Sequence, residues 1–256
     1  MSRSAPDHYT SLKPFRRLFE TGMPCLMYHK IAPRPRGVRI KGLYISPRLF
    51  SRQLAELQSA GFVTPAYGQL PAGTKPGGTV AFTFDDGFVS AFTNALEPLA
   101  RHKFRAIQFL VADRIGQFNA WEVQLGDVRE PLMDAAQIKD WLAAGHEIGA
   151  HTLTHPFLTR ISFREAREEV FASRKKLEDR FGVPVRHFSY PYGDWNEAIR
   201  DLVQEAGYTT ACTAEFGVNH AGTPPLQLKR IMARHRSLSL KGIKARLAGE
   251  VPSTNS

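Results

Sequence analysis

The sequence has few cysteines and no long apolar run. Only Cys25 and Cys212 occur among 256 residues. Both lie in apolar, strand-like surroundings, so we expect neither a disulfide framework nor a cysteine-based zinc cluster. No stretch approaches the ~18 consecutive apolar residues of a membrane span, and no N-terminal run has the apolar length of a signal peptide. We therefore expect a cytoplasmic protein, with membrane association or export by another route as alternatives.

The chain also lacks the spacings that mark nucleic-acid binders. It has no zinc-finger pattern, no RNA-binding aromatic motif and no recognition-helix pattern, so we expect no nucleic-acid partner. The formal net charge of +10 still favours an anionic partner, either an acidic glycan or an anionic membrane surface. Most basic residues alternate with acidic ones, as on solvated helix faces. The segment 34–41 contains no acidic residue and is the better candidate for an anion-facing loop.

Short apolar runs alternate along the chain with helical patterns, and no internal repeat is present. We predict strands at 25–28, 79–84, 106–111, 147–150, 187–190, 208–212 and 228–233. Capping boxes at Ser162 with Glu165 and at Asp194 with Glu197 mark two of the helix starts. Alternating strands and helices indicate a parallel sheet with helices outside it. At this length the predicted architecture is an α/β fold, a closed or partly closed (β/α) barrel of about seven parallel strands.

We predict one domain over residues 23–250, with an N-terminal leader at 1–22 and a flexible tail at 251–256. The leader is expected to be flexible, and its segment 12–19 mixes basic and apolar residues that could contact a membrane surface. The segment 113–132 is irregular and is a candidate lid or substrate-binding loop. Ser239 is a candidate cap for the last helix.

Two adjacent carboxylates, Asp85 and Asp86, follow the predicted strand at 79–84 and precede Gly87. An Asp-Gly turn between two hairpin strands is the structural alternative, but a helical pattern follows here instead of a second strand. Because consecutive side chains of an extended segment point in opposite directions, the two carboxylates can have different tasks. One could bind a metal ion and the other could act on a water molecule.

His151 and His155 follow the predicted strand at 147–150. A turn after His151 would place both imidazoles on one side, where they could bind the same cation. The alternative is a pair of surface histidines without a shared ligand. Two histidines and one carboxylate make a three-ligand site with an open position, which is the layout of a catalytic zinc.

Two more predicted strand ends carry polar groups. Residues 190–193 lead into a helix entry at Asp194, and a backbone N–H there could point at a developing oxyanion. His29 ends the first strand, where a structural histidine is as good an interpretation as a catalytic one. All of these signals lie at the C-terminal ends of predicted parallel strands, which meet on one face and form the active site in such folds.

Together these motifs resemble those of the polysaccharide deacetylase family, which is built on the NodB-homology domain. The resemblance rests on residues 83–87, 151–155 and 190–193, supported by 26–29 and 145–149. It implies a distorted (β/α) barrel and a metal-dependent hydrolase that removes N-acetyl groups from the amino sugars of a glycan or a glycan precursor. The Ser-Tyr-Pro-Tyr and Tyr-His patterns are most similar to those of the branch that acts on poly-N-acetylglucosamine.

The resemblance also implies roles for individual residues. Asp85 would be the general base, and the backbone N–H of Tyr192, next to Pro191, would stabilise the oxyanion together with the metal. The metal ligands would be Asp86, His151 and His155. Zinc is the expected ion, with Co2+, Ni2+ and Mn2+ as alternatives.

The sequence departs from the family pattern in two places. Ser189 stands where many members have an arginine that orients the base. Residues 228–231 read Leu-Lys-Arg-Ile, where many members have a Leu-His motif whose histidine protonates the leaving amine. We expect Arg230 to be the substitute orienting group and His29 to act as the acid or as a supporting partner. His235 is a further candidate.

Two other functions use the same features. A metal-dependent amidase acting on a non-glycan amide would use the same metal and base, and loops such as 113–132 would select its substrate. A catalytically inactive glycan-binding module is favoured by the missing arginine and histidine of the family pattern. The intact carboxylate and histidine motifs argue against that module.

Overall fold

The computed structural model describes residues 6–65 and 77–234. The strands are β1 (Met23–Tyr28), β2 (Lys30–Ile31), β3 (Tyr44–Ile45), β4 (Ala81–Phe84), β5 (Ile107–Leu110), β6 (Glu147–Ala150), β7 (His187–Ser189), β8 (Thr210–Phe216), β9 (Val218–Asn219) and β10 (Leu228–Met232). The helices are α1 (Arg16–Thr21), α2 (Pro47–Ser59), α3 (Val89–Arg101), α4 (Ala120–Gln124), α5 (Ala135–Ala143), α6 (Phe163–Phe181) and α7 (Glu197–Glu205).

Seven strands form a closed parallel barrel in the order β10-β8-β7-β6-β5-β4-β1, which β10 closes by pairing with β1. The short β9 pairs with the start of β1 in antiparallel orientation, and β2 and β3 form a separate two-stranded sheet. The predicted (β/α) barrel of about seven parallel strands is therefore confirmed. All four residues of β4 are buried, as expected for a strand covered on both faces.

Aromatic side chains on the outside of the barrel pack against the surrounding helices. Tyr28 on β1 contacts Phe50 on α2 and Phe84 on β4, with ring centroids 5.2 Å and 5.3 Å away. Phe84 in turn meets Trp141 on α5 edge-to-face at 5.8 Å. These rings are buried, and each large aromatic side chain removed from water contributes about 2–3 kcal/mol. The apolar faces of the strands and helices thus fix the positions of the strand ends.

Local capping signals agree with the structure at one helix and fail at another. Ser162 and Glu165 form the predicted capping box at the start of α6. The box predicted for α7 is wrong, because Asn196 accepts the Ile199 N–H and is the N-cap. The carboxylate of Asp194 instead accepts hydrogen bonds from the N–H and hydroxyl of Thr159.

The described part of the N-terminal segment, residues 6–22, packs on the core, whereas a flexible leader was the prediction for residues 1–22. The rings of Tyr9, Phe15 and Phe19 are fully buried in the main core, and the Tyr9 N–H donates to the Met232 carbonyl at 2.8 Å. Burial of these rings outweighs the entropy of a free leader. It also removes the apolar side of segment 12–19 from contact with a membrane surface.

The domain limits at 23–250 and the tail at 251–256 stay predictions, since residues 235–256 lie outside the described residues, as do His235 and Ser239. Among the helices of the described residues, none combines the length and the apolar character needed to cross a bilayer.

Candidate metal centre

The candidate site lies at the C-terminal ends of the barrel strands. Asp85 and Asp86 follow β4, His151 follows β6, and residues 190–193 follow β7. Five non-glycine residues in the described chain have positive φ, and four of them belong to this site: Asp86 (76°), Thr152 (66°), His155 (71°) and Tyr192 (60°). A left-handed backbone costs a non-glycine residue free energy, and such strain concentrates at functional sites.

Asp86, His151 and His155 form one buried group whose ligand atoms lie within 4.8 Å of one another. The Oδ1 of Asp86 is 3.2 Å from His155 Nε2 and 3.5 Å from His151 Nε2. Ligand atoms bound tetrahedrally to one zinc ion at about 2.0–2.1 Å stand roughly 3.4 Å apart. Within the described residues Asp86 Oδ1 has no hydrogen-bond partner. The spacing and the unsatisfied oxygen both fit a bound divalent ion.

Neighbouring groups orient the two imidazoles. The Nδ1 of His151 donates to the Ser189 carbonyl oxygen at 2.7 Å, which directs its Nε2 towards Asp86. His155 is stacked on Trp121, with ring centroids 4.5 Å apart, and its other neighbour, Tyr192, meets it edge-on at 4.5 Å. A hydrogen bond on the distal nitrogen and a packed ring are the usual supports of metal-binding histidines.

The charges of the group suit cation binding. Burial alone would raise the pKa of the Asp86 carboxyl, but the His155 imidazole 3.2 Å away brings it below its ordinary value. Burial, reinforced by His155, lowers the pKa of His151 to about 4. Asp86 is therefore ionised and His151 neutral at neutral pH, which are the states in which carboxylates and imidazoles bind metals.

Arg230 holds Asp85 through a bidentate ion pair. Its Nη1 lies 2.7 Å from Oδ1 and its Nη2 2.8 Å from Oδ2 of Asp85, and both side chains are buried. Burial would raise the pKa of Asp85, but the Arg230 and His151 charges outweigh this and lower it. Arg230 also donates to the Ser189 hydroxyl and the Thr213 carbonyl. The structure thus brings together the two residues that the sequence analysis paired, and the orienting role itself stays a prediction.

The other predicted site residues are also near the group. The Nε2 of His29 is 3.9 Å from Asp85 Oδ2, and burial lowers the pKa of His29 despite the opposing charges of Asp85 and Asp86. Pro191 is buried, whereas 41% of Tyr192 is exposed. Burial, with a smaller effect of Asp86, raises the pKa of the Tyr192 phenol to about 12. The roles of these three residues stay predictions.

The sequence analysis missed a buried ion pair beside the site. The Nζ of Lys30 lies 2.5 Å from Oε2 of Glu122, and it sits over the Tyr44 and Phe88 rings at 4.8 Å and 4.4 Å. The pair ties the segment after His29 to α4, the helix that carries Trp121. The segment 113–132 thus contains a short helix packed on the site. A lysine and a glutamate 92 residues apart leave no local sequence signal.

Replacing Lys30 by Met is expected to lower the free energy of unfolding by about 3–5 kcal/mol, because Glu122 is left buried without a counter-charge. Urea unfolding followed by circular dichroism measures the change. Adding Glu122→Gln to this variant should recover part of the loss, since no uncompensated charge then remains. Lys175→Met breaks an exposed pair with Asp179 and should change stability little. Equal losses in both single variants would contradict the prediction.

Comparison with known proteins gives a family match and several relatives. A family model described as polysaccharide deacetylase matches residues 72–211. The peptidoglycan-N-acetylglucosamine deacetylase PgdA of Listeria monocytogenes is 26% identical over 173 residues, which cover 67% of this chain and 32% of PgdA. A chitooligosaccharide deacetylase of Sinorhizobium fredii is 32% identical over 133 residues, covering 50% of this chain and 54% of that protein. The chain thus spans less than two thirds of the length of these relatives.

Solved structures show the same fold. IcaB from Ammonifex degensii has a TM-score of 0.72 and 27% identity, and the match covers 83% of this chain and 91% of the IcaB chain. The deacetylase PplD of Streptococcus pyogenes, solved with acetate, has a TM-score of 0.71 over 83% of this chain and 92% of its own. At 22% identity, the likeness to PplD bears on the fold alone.

Proposed function

Because the chain belongs to the polysaccharide deacetylase family, we propose that it is a metal-dependent hydrolase that removes N-acetyl groups from the amino sugars of a glycan or a glycan precursor. The observation that carries the proposal is the buried group of Asp86, His151 and His155 next to the ion-paired carboxylate of Asp85. A metal site beside a carboxylate that is not itself a metal ligand is the arrangement that hydrolyses an amide with water.

The donor set of two imidazoles and one carboxylate suits Zn2+, and also Co2+, Ni2+ or Mn2+. A bound divalent ion would supply Lewis acidity towards water and the amide carbonyl. We propose zinc as the natural ion, since tetrahedral spacing matches the distances between the Asp86 oxygen and the two imidazole nitrogens.

Asp85 is proposed to accept a proton from the attacking water. Its lowered pKa keeps it ionised at neutral pH, and each carboxylate oxygen retains a second lone pair beside its bond to Arg230. The two hydrogen bonds from Arg230 prevent rotation of the Asp85 carboxylate, so that it faces the water in a fixed orientation. The bidentate pair thereby replaces the arginine that many family members have at the position of Ser189.

His29 and the backbone of Tyr192 complete the proposed mechanism. The Nε2 of His29 lies 3.9 Å from Asp85 Oδ2, and we propose that it passes the proton that Asp85 takes from water to the amine as the carbon–nitrogen bond breaks. The N–H of Tyr192 would donate to the developing oxyanion from the left-handed turn after β7. Acetate and a free amine on the sugar are the products.

We expect the purified protein to bind about one divalent ion per chain and to release acetate from N-acetylglucosamine oligomers. Chelation should abolish acetate release, and Zn2+ should restore it. His155→Ala should lose most of the bound metal and most of the activity. Elemental mass spectrometry measures the metal content. The matched control is His102→Ala, because His102 lies at the end of α3 with an exposed hydrogen bond to Gln58.

Each other outcome contradicts a different part of the proposal. Metal without acetate release would reject the N-acetylglucosamine substrate and favour an amidase acting on another amide. Failure of the wild type to bind any divalent ion would reject the hydrolase and favour an inactive glycan-binding module.

A further inference from the structure

A series of aromatic rings leads from the metal centre to an exposed arginine. The His155 ring meets Tyr192 with centroids 4.5 Å apart, and Tyr192 stacks on Phe157 at 3.8 Å and 8°. The guanidinium carbon of Arg160 lies 4.1 Å from the centroid of the Phe157 ring. Arg160 therefore stands on the rim of the site, one stacked aromatic pair away from a metal ligand.

Arg160 is held in place but has no ionic partner within the described residues. Its guanidinium lies over the Phe157 ring, and the turn that carries it, Leu158–Arg160, is fixed by the bonds from Thr159 to Asp194, at 2.8 Å and 2.7 Å. A guanidinium that lies over an aromatic ring still has N–H groups on the edge that points away from the ring. That edge matches a carboxylate or a phosphate in a bidentate arrangement.

A second basic feature lies on the same face of the barrel. Segment 34–41 belongs to the loop that leaves the C-terminal end of β1, and it is anchored to the loop beside the metal centre: the Ile40 and Arg39 N–H groups donate to Asp127 at 2.8 Å and 3.2 Å. Its basic side chains, Arg34, Arg36, Arg39 and Lys41, are all exposed and form no ion pair in the described residues, and Arg39 donates to the Leu125 carbonyl. Two loops after different barrel strands thus offer positive charge around one site.

We infer that the natural substrate carries a carboxylate or phosphate group next to the acetylated sugar, and that Arg160 binds this group with support from segment 34–41. The inference rests on the proposed function and adds the substrate class. The net charge of +10 favours the approach of an anionic glycan. A neutral N-acetylglucosamine oligomer would offer Arg160 hydrogen-bond acceptors but no charged partner.

The test compares kcat/KM for acetate release from three substrates: a neutral N-acetylglucosamine oligomer, a peptidoglycan fragment with the carboxylate of muramic acid, and UDP-N-acetylglucosamine. The wild type should prefer one anionic substrate over the neutral one. Arg160→Gln should reduce that preference about tenfold, mainly through KM, as expected for loss of one charge-assisted contact of about 1.4 kcal/mol. If Arg160→Gln lowers the preference for the muramic acid fragment, the bound group is a carboxylate. If it lowers the preference for UDP-N-acetylglucosamine, the bound group is a phosphate.

Arg180→Gln is the matched control. Arg180 is also exposed and lies over a phenylalanine ring, that of Phe181 at 5.8 Å, but at the opposite end of the 19-residue helix α6. This variant should leave the preference unchanged. Equal kcat/KM for neutral and anionic substrates in the wild type, or an equal loss on all three in Arg160→Gln, would overturn the inference.

A binding measurement separates this inference from the proposed function. Titration of N-acetylglucosamine 1-phosphate, N-acetylmuramic acid and neutral N-acetylglucosamine into the protein, followed by calorimetry, requires no turnover. If no substrate releases acetate, the proposed function fails. The inference would still be supported if the wild type binds an anionic sugar more tightly than the neutral one and Arg160→Gln abolishes this difference. Equal binding of all three sugars would reject it.

Discussion

The Asp85→Asn variant is expected to lose about 10²–10⁴-fold in kcat, the usual contribution of a general base, while keeping its metal. The amide cannot accept a proton from water at neutral pH. The metal ligands Asp86, His151 and His155 are unchanged, so metal content should stay near that of the wild type. Steady-state acetate release and metal analysis of the same preparation measure the two quantities.

A control for this variant is available on the surface. Asp113 pairs with Lys176 at 2.7 Å on an exposed face, so Asp113→Asn changes the same functional group away from the reaction. It should keep full activity. Near-normal kcat in Asp85→Asn would show that another group takes the proton, and loss of the metal would show that Asp85 supports the metal centre instead.

Arg230→Met is expected to reduce both stability and activity. Removal of the buried guanidinium leaves Asp85 without a counter-charge, which costs about 3–5 kcal/mol of unfolding free energy. The carboxylate also loses both bonds that fix its orientation, so kcat should fall even in protein that remains folded. Urea unfolding and acetate assays at a temperature well below the transition measure the two effects separately.

A double-mutant cycle distinguishes ion pairing from general packing. The double variant Arg230→Met/Asp85→Asn removes both charges and should be more stable than Arg230→Met alone. Arg167→Met breaks an exposed pair with Glu205 and serves as the control, with little change expected in either quantity. Undiminished activity and metal content in Arg230→Met would remove Arg230 from the mechanism.

Arg230 approaches Asp85 from a different barrel strand than the one that ends at Ser189. Ser189 ends β7 and Arg230 lies on β10, with β8 between these strands. Arg230 Nη2 donates to the Ser189 hydroxyl at 3.0 Å, so the guanidinium reaches the neighbourhood of the residue that replaces the family arginine. Because barrel strands converge around a common interior, one carboxylate can be approached from more than one strand.

Local sequence patterns predicted several strands, one helix cap and the candidate metal ligands. The strands at β1, β4 and β6 were predicted within two residues of their observed limits, because continuous apolar runs and turn residues are local signals. The capping box of Ser162 and Glu165 depends on four consecutive residues only. The carboxylate and histidine motifs identified the candidate metal group, because strand ends in this fold converge on one face.

Tertiary structure decided what depends on distant partners. The Asp85–Arg230 pair joins residues 145 positions apart, and the resemblance to a family, not any spacing, suggested it. The Lys30–Glu122 pair and the stack of Trp121 on His155 were not foreseen. Residues 1–22 were predicted to be a leader, because the sequence of a short segment shows its apolar rings but not the surface on which they pack. Sequence determined the elements and the chemistry at their ends, whereas barrel closure decided which charges meet, since burial and pairing exist only once the chain has packed.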